Sequence, residues 1–78
     1  GQPGELLGEA RFFAAECQAR LGQLPQAVAT LQQLLRDEPQ HARATAAQLH
    51  LGEWALLSDQ PAVAIAALQQ FLAAGAPS

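Results

Sequence analysis

Leu31-Gln32-Gln33-Leu34-Leu35 decides the reading of this chain, because Leu68-Gln69-Gln70-Phe71-Leu72 repeats it 37 residues later, counting from position 31 to position 68. The same offset carries Ala27-Val28 onto Ala64-Ile65, Gln23 onto Gln60 and Glu16 onto Glu53. Within each copy the apolar positions fall at helical spacing. An internal period of roughly 20–50 residues marks a supersecondary unit that cannot bury its apolar face alone and stacks on its neighbour. The repeat therefore points to a class of work, holding another protein, and does not name the partner.

The rest of the composition agrees with a small helical domain. The chain has 78 residues, half of them apolar, with 14% charged and no Tyr or Met. Ala and Leu dominate, Gln is abundant, and all four positive charges are Arg. This lies well away from the disordered regime. A formal net charge of −3 argues against a nucleic-acid or anionic-membrane surface, which needs clustered Lys and Arg. One cysteine makes neither an intrachain disulfide nor a cysteine-rich metal site. No apolar run approaches the roughly 18 residues that span a bilayer, and no signal peptide is visible. A soluble protein is expected, with cytoplasm and bacterial periplasm both open as compartments.

Four helices are expected. Gly1-Gln2-Pro3-Gly4 reads as a leader, and the first helix begins near Pro3–Glu5, since proline suits a first turn. Its buried stripe is expected at Leu6, Ala10, Phe13, Ala14, Cys17 and Leu21, with Gly22 as the stop. Pro25 opens a second helix that buries Ala27, Val28, Leu31, Leu34 and Leu35 and ends at Asp37-Glu38-Pro39. A third runs from about His41 to Leu57 and buries Ala44, Ala47, Leu51, Trp54 and Ala55. The turn Ser58-Asp59-Gln60-Pro61 offers Ser58 or Asp59 as N-cap. The fourth helix, 60–74, buries Ala64, Ile65, Leu68, Phe71 and Leu72. No window alternates as a strand does, and loops of two to four residues make successive helices antiparallel.

These helix pairs resemble the tetratricopeptide repeat, a helix–turn–helix unit of about 34 residues. The Leu-Gly pair of that family's first helix is matched by Leu51-Gly52 and, one repeat earlier, by Ala14-Ala15. The small residue belongs where two helices approach closely. The second-helix pattern is matched by Ala27, Leu31 and Leu34 and by Ala64, Leu68 and Phe71, and the closing proline by Pro39. Three features depart from the pattern. The usual aromatic is Gln18 or Ala55, with Trp54 beside the latter. The second closing proline, Pro77, comes one residue late. The spacing is three residues longer than the family's, most simply as extra helix around Ala42-Arg43-Ala44. The resemblance implies an all-α fold of two antiparallel helix-turn-helix repeats in an α-solenoid. Residues 1–4 are the leader, 5–38 the first repeat, 39–75 the second and 76–78 a tail.

The resemblance also implies a groove lined by the first helix of each repeat, with Phe12, Glu16, Leu49, Glu53 and Leu56 as candidate partner contacts. Co-chaperone members clamp a terminal carboxylate with Lys and Asn at such positions. Phe12 and Leu49 stand at the Lys positions here, and Glu16 and Glu53 at the Asn positions, so that clamp does not carry over. An apolar groove with an acidic rim suits a helix or apolar peptide with basic flanks. The uncharged residues Val63, Ala66, Ala67, Gln70, Ala73 and Ala74 are expected on the outer side of the fourth helix, where Val63, Ala66, Ala67 and Ala73 form a candidate self-association face.

No residue set suggests catalysis. Cys17 is expected in the core. His41 and His50 lack the i, i+4 spacing of paired ligands, while His50 and Glu53 are i, i+3 neighbours that could form a pH-sensitive pair. No nucleophile frame, phosphate loop or paired carboxylates appear. The expectation is a non-enzymatic scaffold or adaptor module without cofactor or metal, binding a helix or apolar peptide and belonging to a larger repeat protein. The alternatives are a homo-oligomerisation module and an accessory docking domain of an enzyme. Two repeats fall short of the three usually needed for a stable stack, so a homodimer or a docked partner helix should supply further buried surface.

Overall fold

A computed structural model describes the backbone of residues 3–75 and the side chains of residues 6–73. The first two leader residues and the 76–78 tail, with Ala76 and Pro77, lie outside the described residues, as does the side chain of Ala74. The chain forms α1 (Pro3–Arg20), α2 (Leu24–Asp37), α3 (Ala44–Leu57) and α4 (Pro61–Gly75). Among the described residues every regular element is helical. α1 packs on α2, α2 on α3 and α3 on α4, the order of a stack in which each unit touches its neighbour.

The two intra-repeat turns are built alike. After α1 the chain enters the left-handed region at Gly22 (φ 81°), the Gly22 N–H donates to the Ala19 carbonyl and the Gln23 N–H to the Gln18 carbonyl. After α3 it does so at Asp59 (φ 60°), with Asp59 N–H donating to Leu56 and Gln60 N–H to Ala55. This paired bonding closes a helix C-terminus by satisfying its last carbonyls. Gly22 and Asp59 stand one period apart, and Asp is among the few L residues that visit this region routinely. Ser58 and Asp59 do not cap α4 as expected. The Ser58 hydroxyl donates backward to the Trp54 carbonyl at 2.8 Å, and Gln60 takes the cap position, its carbonyl accepting from Ala64 N–H.

The connection between repeats corrects the expected loop length. α3 begins at Ala44, not near His41, so residues 38–43 form a six-residue turn and the extra residues of the 37-residue period sit there. His41 anchors that turn. Its ring is buried, its Nδ1 accepts from the Arg43 N–H at 3.0 Å, and its backbone bonds Glu38 and Ala44. A Cβ on Gly8 of α1 would lie 2.5 Å from the His41 ring, so only glycine lets the ring close on the helix.

α2 and α3 bury the residues expected of them. Ala27, Val28, Leu31 and Leu34 are buried and Leu35 half-buried; Ala44, Ala47, Leu51 and Ala55 are buried and Trp54 half-buried. Gly52 sits where α3 meets α4, and a Cβ there would lie 2.7 Å from Leu68 Cδ2. In α4 the burial is shallower than expected. Ala64 and Ala67 are buried, Leu68 and Phe71 half-buried, and Ile65 and Leu72 exposed.

α1 overturns its expected stripe. Leu6, Ala10, Phe13, Ala14, Cys17 and Leu21 are all exposed, and the helix buries Gly8, Phe12 and Ala15 instead. The pairs Phe12-Phe13 and Ala14-Ala15 make α1 apolar on two adjoining sides, so periodicity admits two stripes one residue apart. Contact with α2 and α3 selects the stripe that carries Ala15, the small residue of the repeat pattern. Cys17, expected in the core, is a free and exposed thiol.

Candidate functional site

Two surfaces gather the candidate side chains. The first lies where α1 and α3 meet. Arg43 lays its guanidinium over the rings of Phe12 (5.2 Å to the centroid) and Phe13 (4.8 Å), and its Nε donates to Glu9 Oε1 at 2.7 Å. The hydrogen bond from Arg43 holds the Glu9 carboxyl below its ordinary pKa, and Glu9 in turn raises that of Arg43. One turn on, His50 stacks on Trp54 with centroids 4.9 Å apart and planes 5° from parallel. Its Nε2 lies 3.8 Å from Glu16 and its Nδ1 3.6 Å from Glu53, contacts that become ion pairs only with the imidazolium form.

This arrangement sorts the expected groove residues. Glu16 and Glu53, one period apart in sequence, converge on His50. Phe12 does not line an open groove: it is buried beneath Arg43 and His50, whose ring centroid is 5.7 Å from its own. Leu49 and Leu56 are exposed on α3.

The second surface is a cleft of about 590 Å³ with α2 on one side, α4 on the other and α3 at its base. Gln32, Leu35 and Arg36 form the α2 wall, Val63, Ala66, Ala67 and Gln70 the α4 wall, and Gln48 and Leu51 the base. The face expected on the outside of α4 is thus largely inside this cleft. Ala67 is buried and Val63 half-buried against the core, while Ala66, Gln70 and Ala73 stay exposed. Gln48 Oε1 is a buried oxygen without a protein donor, and it sits in the side chain at the cleft base. The sequence reading missed the α2 wall because Gln32 and Arg36 look like a solvated helix face. The uncharged run on α4 was the available signal, and it needed a facing wall to become a cleft.

Among the described residues no three His, Cys, Asp or Glu side chains gather as a metal site, and no helix is long and apolar enough to cross a membrane. No curated protein and no solved structure gives a significant match to the chain. The family model for the tetratricopeptide repeat matches residues 7–51, which is more than half of the chain and runs from α1 through α2 into α3. Such repeats generally serve as protein–protein interaction modules. With the helix pairs, the matched turns and the glycine at the α3–α4 contact in place, the chain belongs to the tetratricopeptide repeat family.

Proposed function

We propose that the chain is a scaffold or adaptor module that holds an apolar helix or peptide segment of a partner protein in the α2–α4 cleft. The cleft itself carries this reading. Its walls offer Leu35, Val63, Ala66 and Ala67 to apolar side chains, while Gln32, Arg36, Gln48 and Gln70 supply a few polar groups to fix orientation. A concave, mostly apolar site with sparse polar groups is the usual form of a recognition pocket, and an amphipathic helix reads such a groove through anchors at i, i+3 or i+4, and i+7.

Selection of a helical peptide library on the chain tests this. Ala66→Arg puts a long charged side chain on the cleft wall, and Gln26→Arg, at an exposed site on α2 away from the cleft, is the control. Selected peptides should lose at least tenfold in affinity to Ala66→Arg and keep it with Gln26→Arg. Peptides indifferent to Ala66→Arg would refute the cleft.

A second reading keeps the α1–α3 face as the partner site. The two carboxylates brought together at His50, with exposed Leu49 and Leu56, favour a segment with apolar anchors and basic flanks. Peptides bound there would weaken with Glu16→Ala and Glu53→Ala and ignore Ala66→Arg.

A further inference from the structure

The 37-residue period pairs every position of the first repeat with one of the second, so the environments of paired residues can be compared directly. On one side they disagree. Phe12 is 4% exposed and its counterpart Leu49 38%; Val28 is 1% exposed and Ile65 58%; Leu35 is half-buried and Leu72 is 67% exposed. All of these are large and apolar. The second repeat lies against two of them: Phe12 sits under Arg43 and His50, and Leu35 faces Leu51 and Val63 across the cleft. α3 and α4 therefore present, uncovered, an apolar copy of the surface on which the second repeat sits.

The other side disagrees in the opposite sense. Ala44 is 7% exposed and its counterpart Leu7 50%; Ala47 and Leu51 are buried, whereas Ala10 and Ala14 are exposed; Trp54 is half-buried and Cys17 exposed. Of these α3 residues Leu51 shares the cleft with Gln32 and Leu35 of the first repeat, and Ala47, Leu51 and Trp54 pack in one core with Phe12, Ala15 and Leu31. The exposed stripe of α1, which its sequence marks as a buried one, is thus a copy of the α3 face that enters the repeat–repeat junction.

We propose that these two end faces bind each other between molecules: a second copy of this chain docks head to tail, its α1 seated on α3 and α4 of the first as α3 is seated on α1 and α2 within the chain. The occupant is a second copy because one molecule carries both halves of an interface whose intact version it also contains. Large exposed apolar patches mark interaction sites. The contact joins unlike patches, so it is heterologous and grows into rings or open stacks instead of stopping at a two-fold dimer. It uses sides of α1 and α4 other than the Val63–Ala66–Gln70 wall, so it stands or falls independently of the cleft.

The test is molar mass by light scattering across a concentration series, for wild type, Ala10→Glu, Ile65→Glu and an equimolar mixture of the two variants. Both positions are exposed in the single chain, and circular dichroism verifies the fold; Ala14→Glu and Leu72→Glu serve if either variant unfolds. Wild type should rise past the dimer mass. Each variant alone should remain monomeric, since every contact needs one intact head and one intact tail. The mixture should form a one-to-one dimer and stop, because it holds one intact head and one intact tail per pair. A monomeric wild type, a variant that associates like wild type, or a mixture that stays monomeric would each overturn the proposal. A readout free of substitutions uses Cys17, the counterpart of Trp54. Its reaction with a thiol reagent should slow as the wild-type concentration rises, and a rate independent of concentration overturns the proposal too.

Discussion

Leu31→Ala and Leu68→Ala make the same change at the same position of two repeats, and the structure predicts different costs. Leu31 is fully buried between α2 and its neighbours. Truncating such a leucine removes its transfer free energy and leaves a cavity, a loss of about 2–5 kcal/mol. Leu68 is half-buried, so part of its side chain is already in water and the space left behind opens to solvent. With less apolar area at stake and no closed cavity left behind, the cost falls to about 1–3 kcal/mol. A domain of this size has a total stability of about 4–12 kcal/mol, and each kcal/mol moves its Tm by about 4–8 °C. Leu31→Ala should therefore lower Tm by about 8–40 °C and Leu68→Ala by less, about 4–24 °C. The assay is thermal unfolding followed by far-ultraviolet circular dichroism at low protein concentration, where the chain is monomeric. Equal shifts, or a larger one for Leu68→Ala, would refute the reasoning that the second repeat lacks a cover. Raising the concentration should narrow the gap, since a docked second copy buries the α4 side of Leu68 as repeat two buries that of Leu31.

Two further predictions follow from close contacts and charge. Gly8→Ala gains about 1 kcal/mol of helix propensity but drives a Cβ to 2.5 Å from the buried His41 ring, and overpacking of that kind costs about 1–3 kcal/mol; Gly52→Leu meets Leu68 with a larger group. Both should lower Tm in the same melts, and a rise for Gly52→Leu would show that α3 and α4 do not approach closely there. In acid, Glu9 and Asp37 matter: Arg43 donates to the first, while Gln33 and then Arg11 donate to the second, and these bonds hold both carboxyls below their ordinary pKa. A carboxylate held low by folding contributes stability above its unfolded pKa and loses it as pH falls through the folded value. Tm should thus decline below about pH 4, and Glu9→Gln with Asp37→Asn should flatten that decline; an unchanged slope would mean the pairs are inert in solution.

How much the sequence made legible depends on whether both partners of a contact lay within one period. α2 was readable because Ala27, Val28, Leu31 and Leu34 form one stripe with polar neighbours, and both surfaces that cover them belong to the chain. The position of Ala15 and Gly52 was readable because close approach admits only small residues. The loop at His41 was not: helical spacing continues through Ala42-Arg43-Ala44, and nothing local reveals that His41 folds back onto Gly8 across 33 residues of chain, from position 8 to position 41. The cleft was hidden for the same reason, since Gln32 and Arg36 become a wall only once α4 stands opposite.

Leu6, Ala10, Phe13, Ala14, Cys17 and Leu21 have the spacing of a buried face, and the chain does not bury them. The stripe was expected in the core, and no helix among the described residues covers it. A repeat inherits its interface residues from its period, so an end unit keeps the apolar pattern of an internal one unless its outer positions become polar, as the ends of a stack usually do. Among the described residues α1 and α4 show no such change: Leu7 and Phe13 stay exposed on α1, and Ile65 and Leu72 on α4. Apolar faces kept on both α1 and α4, and matching in kind, are what stacking requires, and the mixing of head-blocked and tail-blocked variants asks whether copies of this chain do the stacking.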